Sequence, residues 1–192
     1  MPPREVWICT PTRDGFGVIH TAIAVSRLPG LLNVPGRVIW TEANNIPRGR
    51  DALVADLRQE VQRDAAWVLW VDSDILLLEE IDPVVEAIRW SWETGQGWTA
   101  HYAMADGRSH MMRGRGLNGK VASNYTAEEV EALPDWHPIE QCGLGFAFIP
   151  MDLTYEFHAA TAGEDVHFFV DTDITLAFAK RVHLRHRKSL WI

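Results

Sequence analysis

Cysteine is scarce in this chain, and long apolar runs are missing. Cys9 and Cys142 are its only cysteines, and neither belongs to a Cys-x-x-Cys pair. This scarcity indicates neither a disulfide framework nor a structural zinc site, and it fits a reducing compartment. No apolar stretch approaches the roughly 20 residues of a membrane helix, and the first residues lack the basic-then-apolar order of a signal peptide. We therefore expect a soluble, cytoplasmic protein with no membrane span.

Positive charge is also in short supply. Lys and Arg number 18 against 26 Asp and Glu, which leaves a formal net charge of -8. This balance argues against broad electrostatic attraction to nucleic acid or anionic membranes, although it is compatible with a local basic patch. No internal repeat, low-complexity tract or Pro- and Gly-rich linker divides the 192 residues. We expect one globular domain over residues 1–192, large enough to bury a substantial core.

Strand-like and helix-like segments alternate in the first half of the chain. Loops are expected over 11–15 and 42–50. The predicted strands are 5–10, 36–41 and 66–72. A first helix is predicted over 20–27, and a third opens at Asp82-Pro83 and ends near Gly95 and Gly97. The second helix begins at Asp51, and its apolar face consists of Leu53, Val54, Leu57 and Val61. This alternation predicts an α/β fold with a mostly parallel central sheet and right-handed crossover helices.

The second half has weaker patterns. Thr126 and Glu129 form a capping-box signature, which predicts a brief helix that Pro134 stops. The other expectations are a strand over 97–103, a long loop over 106–124, a strand over 143–149, helical residues over 151–160, an acidic segment over 163–173, and a basic alternating segment over 182–188.

Two carboxylates one residue apart follow the Trp-rich apolar run at 66–71. A run that is apolar on every side suits a strand buried on both faces, and such strands deliver functional groups at their carboxyl ends. Asp72 and Asp74 occupy that position. In extended chain, residues two apart point the same way, so both carboxylates can face one hard divalent cation. A turn or a helix cap is the alternative interpretation of the same tripeptide.

Several short motifs, taken in order, resemble a known family. Together they look like a GT-A glycosyltransferase of the family 2 type, which uses a nucleotide-sugar donor. The motifs are Thr10-Pro11-Thr12-Arg13, the segment 47–53, Leu69 to Ile75 with its Asp-x-Asp, the glycine strand 142–149, Gly163-Glu164-Asp165-Val166, and His186. Each motif is common by itself, so the resemblance depends on their order. It implies a single Rossmann-like GT-A domain.

The resemblance implies a metal site and a UDP- or GDP-linked sugar. Asp74 would bind Mn²⁺ or Mg²⁺ directly, Asp72 would contact the ribose or a metal-bound water, and His186 would complete the site from the C-terminal segment. A nitrogen ligand suits manganese better than calcium. His183 competes with His186, because two residues three apart in a strand face opposite sides. An exposed or hydrogen-bonded imidazole is the alternative for either histidine.

Further residues would hold the nucleotide and its phosphates. Thr12, Arg13 and Asp14 follow the first strand, where ligands of open α/β sheets collect, and Arg50 is a candidate of the same kind. Lys188, together with Arg187, would add positive charge over the phosphates. The alternative for Arg48, Arg50 and Asp51 is a solvated helix start, and that for Arg187 and Lys188 is a solvated chain end.

The Glu164-Asp165 pair supplies the candidate catalytic carboxylates. By resemblance to inverting members, Asp165 would take the proton of the acceptor hydroxyl, with Glu164 beside it. Capping of the following helix is the alternative. Asp171 and Asp173 form a second Asp-x-Asp where the family usually has basic residues and a turn glycine, and they would cap a helix, join the metal or indicate a different alignment.

The acceptor is not identifiable from the sequence. A saccharide, a protein or a modified nucleic acid all fit an open site, and a homo-oligomer or another partner would help to recognise it. Trp136, His137 and the arginines Arg108, Arg113 and Arg115 are acceptor-pocket candidates, with packing the favoured interpretation for Trp136. A nucleotidyltransferase and a non-catalytic nucleotide- or carbohydrate-binding module are the alternative functions. The former needs a phosphate-cradling glycine loop, and only Gly15 and Gly17 follow the first strand.

Overall fold

A computed structural model describes the parts of the chain that build the central sheet and its helices. These parts are residues 4–12, 19–42, 46–60, 66–78, 80–102, 111–113, 123–139, 141–142, 144–154, 176–178, 182 and 184–186. In chain order the elements are β1 (Glu5–Thr12), α1 (Ile19–Ser26), α2 (Leu28–Leu32), β2 (Gly36–Glu42), α3 (Ile46–Glu60), β3 (Ala66–Val71), β4 (Ile75–Leu77), α4 (Asp82–Thr94), β5 (Trp98–Thr99), β6 (Met111–Arg113), β7 (Ser123–Asn124), α5 (Ala127–Glu131), β8 (His137–Ile139), β9 (Gln141–Cys142), β10 (Phe146–Pro150), β11 (Leu176–Phe178) and β12 (Leu184–His186).

A seven-stranded sheet in the order β2-β1-β3-β10-β5-β11-β8 forms the centre of the protein. β2, β1 and β3 are parallel neighbours, and β5 and β11 are also parallel to each other. β10 runs antiparallel to β3 and β5, and β8 runs antiparallel to β11. Five of these strands therefore point the same way. The predicted α/β fold with a mostly parallel sheet flanked by helices is confirmed, as the resemblance to GT-A enzymes implied.

Both faces of the sheet are buried, which explains why β3 and β10 are apolar at every position. Alternate side chains of a strand point to opposite faces. On one face Val6 and Ile8 pack with α1, α2 and α4, and on the other Trp7 and Cys9 pack with α3 and α5. No helix of the described ranges is long and apolar enough to cross a membrane.

Two of the predicted element boundaries are wrong near the site. β1 continues through Pro11 to Thr12, where a loop was expected. Within β1, only Glu5 to Cys9 pair with β3. Pro11 therefore lies beyond the end of this pairing, and its lack of an N–H removes no hydrogen bond between β1 and β3. α3 begins at Ile46 instead of Asp51. Pro47, the second residue of the helix, is the start signal that the polar-loop interpretation of this segment missed.

Later segments differ more from expectation. The predicted strand over 97–103 is reduced to β5, and the predicted loop over 106–124 contains β6 and β7, which pair with each other. β11 is a strand where a helix from Ile174 was one of the alternatives, and it pairs with both β5 and β8. Short strands of two or three residues carry too little periodicity to be seen in sequence. Val61 of the predicted apolar face lies outside the described residues.

Local end signals were more reliable. α4 starts at Asp82 with Pro83 in its first turn and ends at Gly95, which adopts the left-handed conformation (φ 73°). Asp82 is the first helical residue and not the cap, which is Ile81. The capping box is confirmed: the Glu129 backbone N–H donates to Thr126 Oγ1 (3.3 Å), and the Thr126 N–H donates to Glu129 Oε2 (2.8 Å).

Thr21 of α1 holds the short strand β4 in place. Its hydroxyl donates to the Ile75 carbonyl (2.9 Å) and accepts a hydrogen bond from the Leu77 N–H (2.9 Å), and the side chain is buried. β12 pairs with β4, so that His186 lies opposite Ile75. One threonine therefore satisfies two backbone groups of the strand that links the Asp72 turn to the C-terminal segment.

Thr21→Val should destabilise the fold by about 2 to 4 kcal/mol. Valine keeps the shape of threonine but leaves the Ile75 carbonyl and the Leu77 N–H without a buried partner. Urea unfolding followed by circular dichroism measures the change. Ser26→Ala is the matched control on the same helix, because the Ser26 hydroxyl is exposed, and it should change stability by less than about 0.5 kcal/mol. Equal stability of the two variants would contradict the anchoring role of Thr21.

Candidate functional site

A tight turn presents Asp72, Ser73 and Asp74 at the carboxyl end of β3. The Asp72 N–H donates to the Gly145 carbonyl (2.7 Å), which extends the contact between β3 and β10 by one residue. The Ile75 N–H then donates back to the Asp72 carbonyl (3.1 Å). The chain therefore reverses over three residues, and both carboxylates stay at the edge of the sheet where the parallel strands end. Asp74 is half-buried.

An ion pair fixes the Asp72 carboxylate. Arg50 Nη2 donates to Asp72 Oδ1 at 2.9 Å, and the two side chains are only 5% and 14% exposed. Asp72 continues the face of β3 that carries Val68 and Trp70, which is the face covered by α3. Arg50 is therefore not part of a solvated helix start. It lies beneath the turn and orients Asp72, leaving Asp72 Oδ2 outside this ion pair.

Gly145, just before β10, and Tyr102, which follows β5, support the same turn. The Gly145 N–H donates to the Tyr102 hydroxyl (3.2 Å), while the Gly145 carbonyl accepts from Asp72. A Cβ atom at position 145 would lie 2.2 Å from Tyr102 Oη and 2.5 Å from Tyr102 Cζ. Only glycine lets the buried tyrosine approach the backbone this closely.

The strand pairing brings His186 to the same region. β12 runs antiparallel to β4, and His186 lies opposite Ile75, the residue that follows Asp74. This register aligns the backbone of the predicted metal histidine with the residue next to the predicted metal aspartate. Among the side chains that the structure describes, no group of three or more His, Cys, Asp and Glu is close enough to hold a metal ion. The metal site is therefore argued below as a proposal.

The structure describes only some of the remaining predicted site residues. Thr12 is buried at the end of β1, where its hydroxyl donates to the Thr41 carbonyl (3.3 Å). Of Arg113 only the backbone, in β6, is described. Outside the described residues lie Arg13, Asp14, Arg108, Arg115, Glu164, Asp165, Asp171, Asp173, His183, Arg187 and Lys188. Trp136 stacks on Trp90 with a ring separation of 4.0 Å, and packing is thus its observed role.

One ionisable residue at this edge was missed by sequence reasoning. His101 follows β5, whose carboxyl end lies at the same edge as that of β3 because both strands run in the same direction. Burial lowers the pKa of His101, and the negative charge of Glu131 partly opposes that shift. No motif surrounds His101 in the sequence, so only the sheet order reveals its position.

The buried thiol of Cys9 takes no part in the site. Cys9 points to the α3 side of the sheet and is completely buried. Burial, and then the negative charge of Asp56, raise its pKa far above the ordinary range of a thiol. A thiol kept protonated in this way is a poor nucleophile and a poor metal ligand.

Comparisons with known proteins give no match by sequence and a weak likeness in fold. No family model and no curated protein matches the sequence. The fold is similar to the crystal structure of a glycosyltransferase involved in the glycosylation of the major capsid of PBCV-1, with 10% sequence identity, a TM-score of 0.43, and coverage of 85% of this chain and 69% of that chain. A likeness at this level carries no conclusion about activity.

Gly145→Ala should destabilise the protein by about 1 to 3 kcal/mol and disturb the Asp72 turn. The new methyl group would overlap the Tyr102 ring unless the ring or β10 moves. Thermal and urea unfolding measure the loss. Gly30→Ala is the control, because nothing lies within 4 Å of its Cβ position; in helix α2 it should be neutral or stabilising by up to about 1 kcal/mol. A Gly145→Ala protein as stable as Gly30→Ala would show that this close approach is not required.

Proposed function

We propose that the protein is a metal-dependent glycosyltransferase that moves a sugar from a nucleotide-diphosphate donor to an acceptor hydroxyl. One observation carries the proposal. The Asp72-Ser73-Asp74 turn stands at the carboxyl edge of a mostly parallel sheet, and β12 brings the His186 backbone opposite the residue after Asp74. Ligands of open α/β sheets collect at this edge.

The donor set fits a transition-metal cation such as Mn²⁺. Asp74 offers oxygen and His186 offers nitrogen, a combination that suits manganese better than calcium. When bound, the cation neutralises the negative charge that develops on the departing diphosphate. Asp74 and His186 are the proposed direct ligands, and Asp72 is the proposed contact to ribose or to a metal-bound water.

Arg50 is proposed as a positioning residue for Asp72. A buried carboxylate that lost its guanidinium partner would be unstable or would turn away, since an unpaired buried charge is costly. The ion pair thus holds Asp72 in one orientation before any ligand arrives. Preorganised groups of this kind improve binding because less reorganisation is needed when the ligand binds.

The reaction also needs a base and positive charge around the phosphates. By the resemblance of the Glu-Asp motif, Asp165 is proposed to accept the acceptor proton as the hydroxyl attacks the anomeric carbon, with inversion at that carbon. Arg13, Asp14 and Lys188 are proposed contacts to the nucleotide and its phosphates. A saccharide, a protein or a modified nucleic acid remains the acceptor class.

Substitution of Asp74 and Arg50 tests the proposal. With Mn²⁺ and a panel of UDP- and GDP-sugars, the wild-type protein should release nucleotide slowly even when water is the acceptor. Asp74→Asn should lower this rate by at least about 100-fold, and Arg50→Lys by about 10- to 100-fold, because loss of an orienting partner weakens a metal site by that factor. Chromatography of the released UDP or GDP measures both rates.

Arg58→Lys serves as the control, since Arg58 is exposed in the last turn of α3. It should keep the wild-type rate. A wild-type protein that neither binds nor hydrolyses any donor with Mn²⁺ would contradict the proposal. Donor binding that needs no metal and survives Asp74→Asn would instead indicate a non-catalytic binding module.

A further inference from the structure

We infer that one buried water molecule links Thr10 of β1 to the Asp72-Ser73 turn, and that Thr10 is, through this water, a positioning residue for Asp72. The role in positioning rests on the proposed function, because it concerns the turn that would bind the cation. Three observations carry the inference: a small cavity beside the turn, a buried hydroxyl that adjoins it, and the place where two strands of the sheet separate.

The cavity lies beside the turn, between β1 and α1. Its volume is about 10 Å³, which is room for one water molecule. Thr10, Thr21, Asp72 and Ser73 are the polar residues that line it, and its other walls are aliphatic or aromatic. A cavity of this size binds water when two to four polar groups surround it, whereas a purely apolar cavity stays dry. The lining of this cavity therefore fits a bound water.

The cavity forms where β1 and β3 separate. Pairing between these two strands ends at Cys9 and Trp70, although β1 continues to pair with β2 as far as its last residue. Thr10 and Val71, the next residue of each strand, both line the cavity. Backbone groups at the end of a ladder are commonly satisfied by ordered water, which bridges two polar groups nearly as well as a direct hydrogen bond. A water at this place would continue the connection between the two strands.

The hydroxyl group of Thr10 is the second observation. Thr10 is only 2% exposed, and among the described residues its Oγ1 atom has no hydrogen-bond partner. The large majority of buried side-chain polar atoms in folded proteins are paired with protein or ordered water. A buried hydroxyl left unpaired destabilises the fold. A water in the adjoining cavity would supply the partner.

Thr21 and the turn would provide the other partners of the water. The Thr21 hydroxyl donates to the Ile75 carbonyl and accepts from the Leu77 N–H, both at 2.9 Å. A hydroxyl oxygen can accept two hydrogen bonds, so Thr21 Oγ1 can accept one more from the water. The polar groups of Asp72 and Ser73 adjoin the same cavity. The water would thus join β1, α1 and the aspartate turn.

This link would hold the turn on the face of the sheet opposite to Arg50. Arg50 fixes the Asp72 carboxylate from the α3 face, and the hydrogen bond from the Ile75 N–H to the Asp72 carbonyl closes the turn. The water would fix the turn from the α1 face. Groups that are held in place before a ligand arrives bind it more tightly. Loss of the water should therefore weaken cation binding although no proposed metal ligand is changed.

Thr10→Val distinguishes a paired hydroxyl from an unpaired one by the sign of its effect on stability. If the hydroxyl were unpaired, a methyl group of the same shape would remove a buried polar atom and stabilise the protein. If the hydroxyl holds the water, valine breaks the link. We therefore expect a lower midpoint in urea unfolding. The Ile75 amide should also exchange its hydrogen about fivefold faster in NMR measurements, which is the effect of one lost hydrogen bond.

Crystal structures and titration with Mn²⁺ and UDP test the water and its consequence. The wild type and Thr10→Ser should show an ordered water within hydrogen-bond distance of the hydroxyl at position 10 and of an atom of residues 72–73. Thr10→Val should lack this water and bind Mn²⁺–UDP about tenfold more weakly, as for other losses of support around a metal site. Thr10→Ser should retain the wild-type affinity within about threefold.

Thr154→Val is the matched control, because Thr154 is only 1% exposed and lies at the opposite edge of the sheet. Its hydroxyl donates to the carbonyl of Pro150, which pairs with Trp67 at the start of β3. This variant should change neither the exchange of the Ile75 amide relative to other amides nor the affinity for Mn²⁺–UDP.

A wild-type crystal structure without a water at this place would overturn the inference, as would a Thr10→Val protein more stable than the wild type. Unchanged Mn²⁺–UDP binding by Thr10→Val, with the water lost, would overturn the positioning role. A wild type that holds the water but binds no Mn²⁺ with UDP would support the water site and overturn the proposed function instead.

Discussion

The buried ion pair between Arg50 and Asp72 is the constraint on which the site depends. Arg50 comes from α3, Asp72 follows β3, and the carbonyl of Gly145, just before β10, accepts the Asp72 N–H, so three parts of the fold meet at one residue. Burial of two charges carries a desolvation cost, which is offset only when each charge remains well paired. The ion pair therefore contributes orientation more than stability: it determines which way the carboxylate faces, while the apolar core on both sides of the sheet stabilises the fold.

The two faces of the sheet carry different side chains near this edge. The α3 face holds Arg50, and the α1 face holds Thr21. Thr21 of α1 fixes β4 on one side, and β12 pairs with β4 on the other. Hydrogen bonds thus connect α1, the strand that follows the aspartate turn and the C-terminal strand β12.

Sequence patterns predicted the fold well where a strong local signal existed. The apolar run before Asp72, the proline and glycine that bound α4 and the Thr126 capping box all formed as expected, because periodicity and end signals act over a few residues. The contacts that shape the site were not predictable. Arg50 pairs with Asp72 across 22 positions, and Gly145 with Tyr102 across 43. Such pairs depend on the order of strands in the sheet, which no local pattern encodes.

We propose that one cation joins the aspartate turn to the C-terminal histidine, and pulsed electron paramagnetic resonance of the Mn²⁺–UDP complex is a direct test of this coordination. Direct coordination by an imidazole couples the manganese spin to a nitrogen nucleus. We expect this coupling in the wild type, its loss in His186→Gln and its retention in His183→Gln. Absence of nitrogen coupling in the wild type, or its persistence in His186→Gln, would show that His186 does not bind the cation.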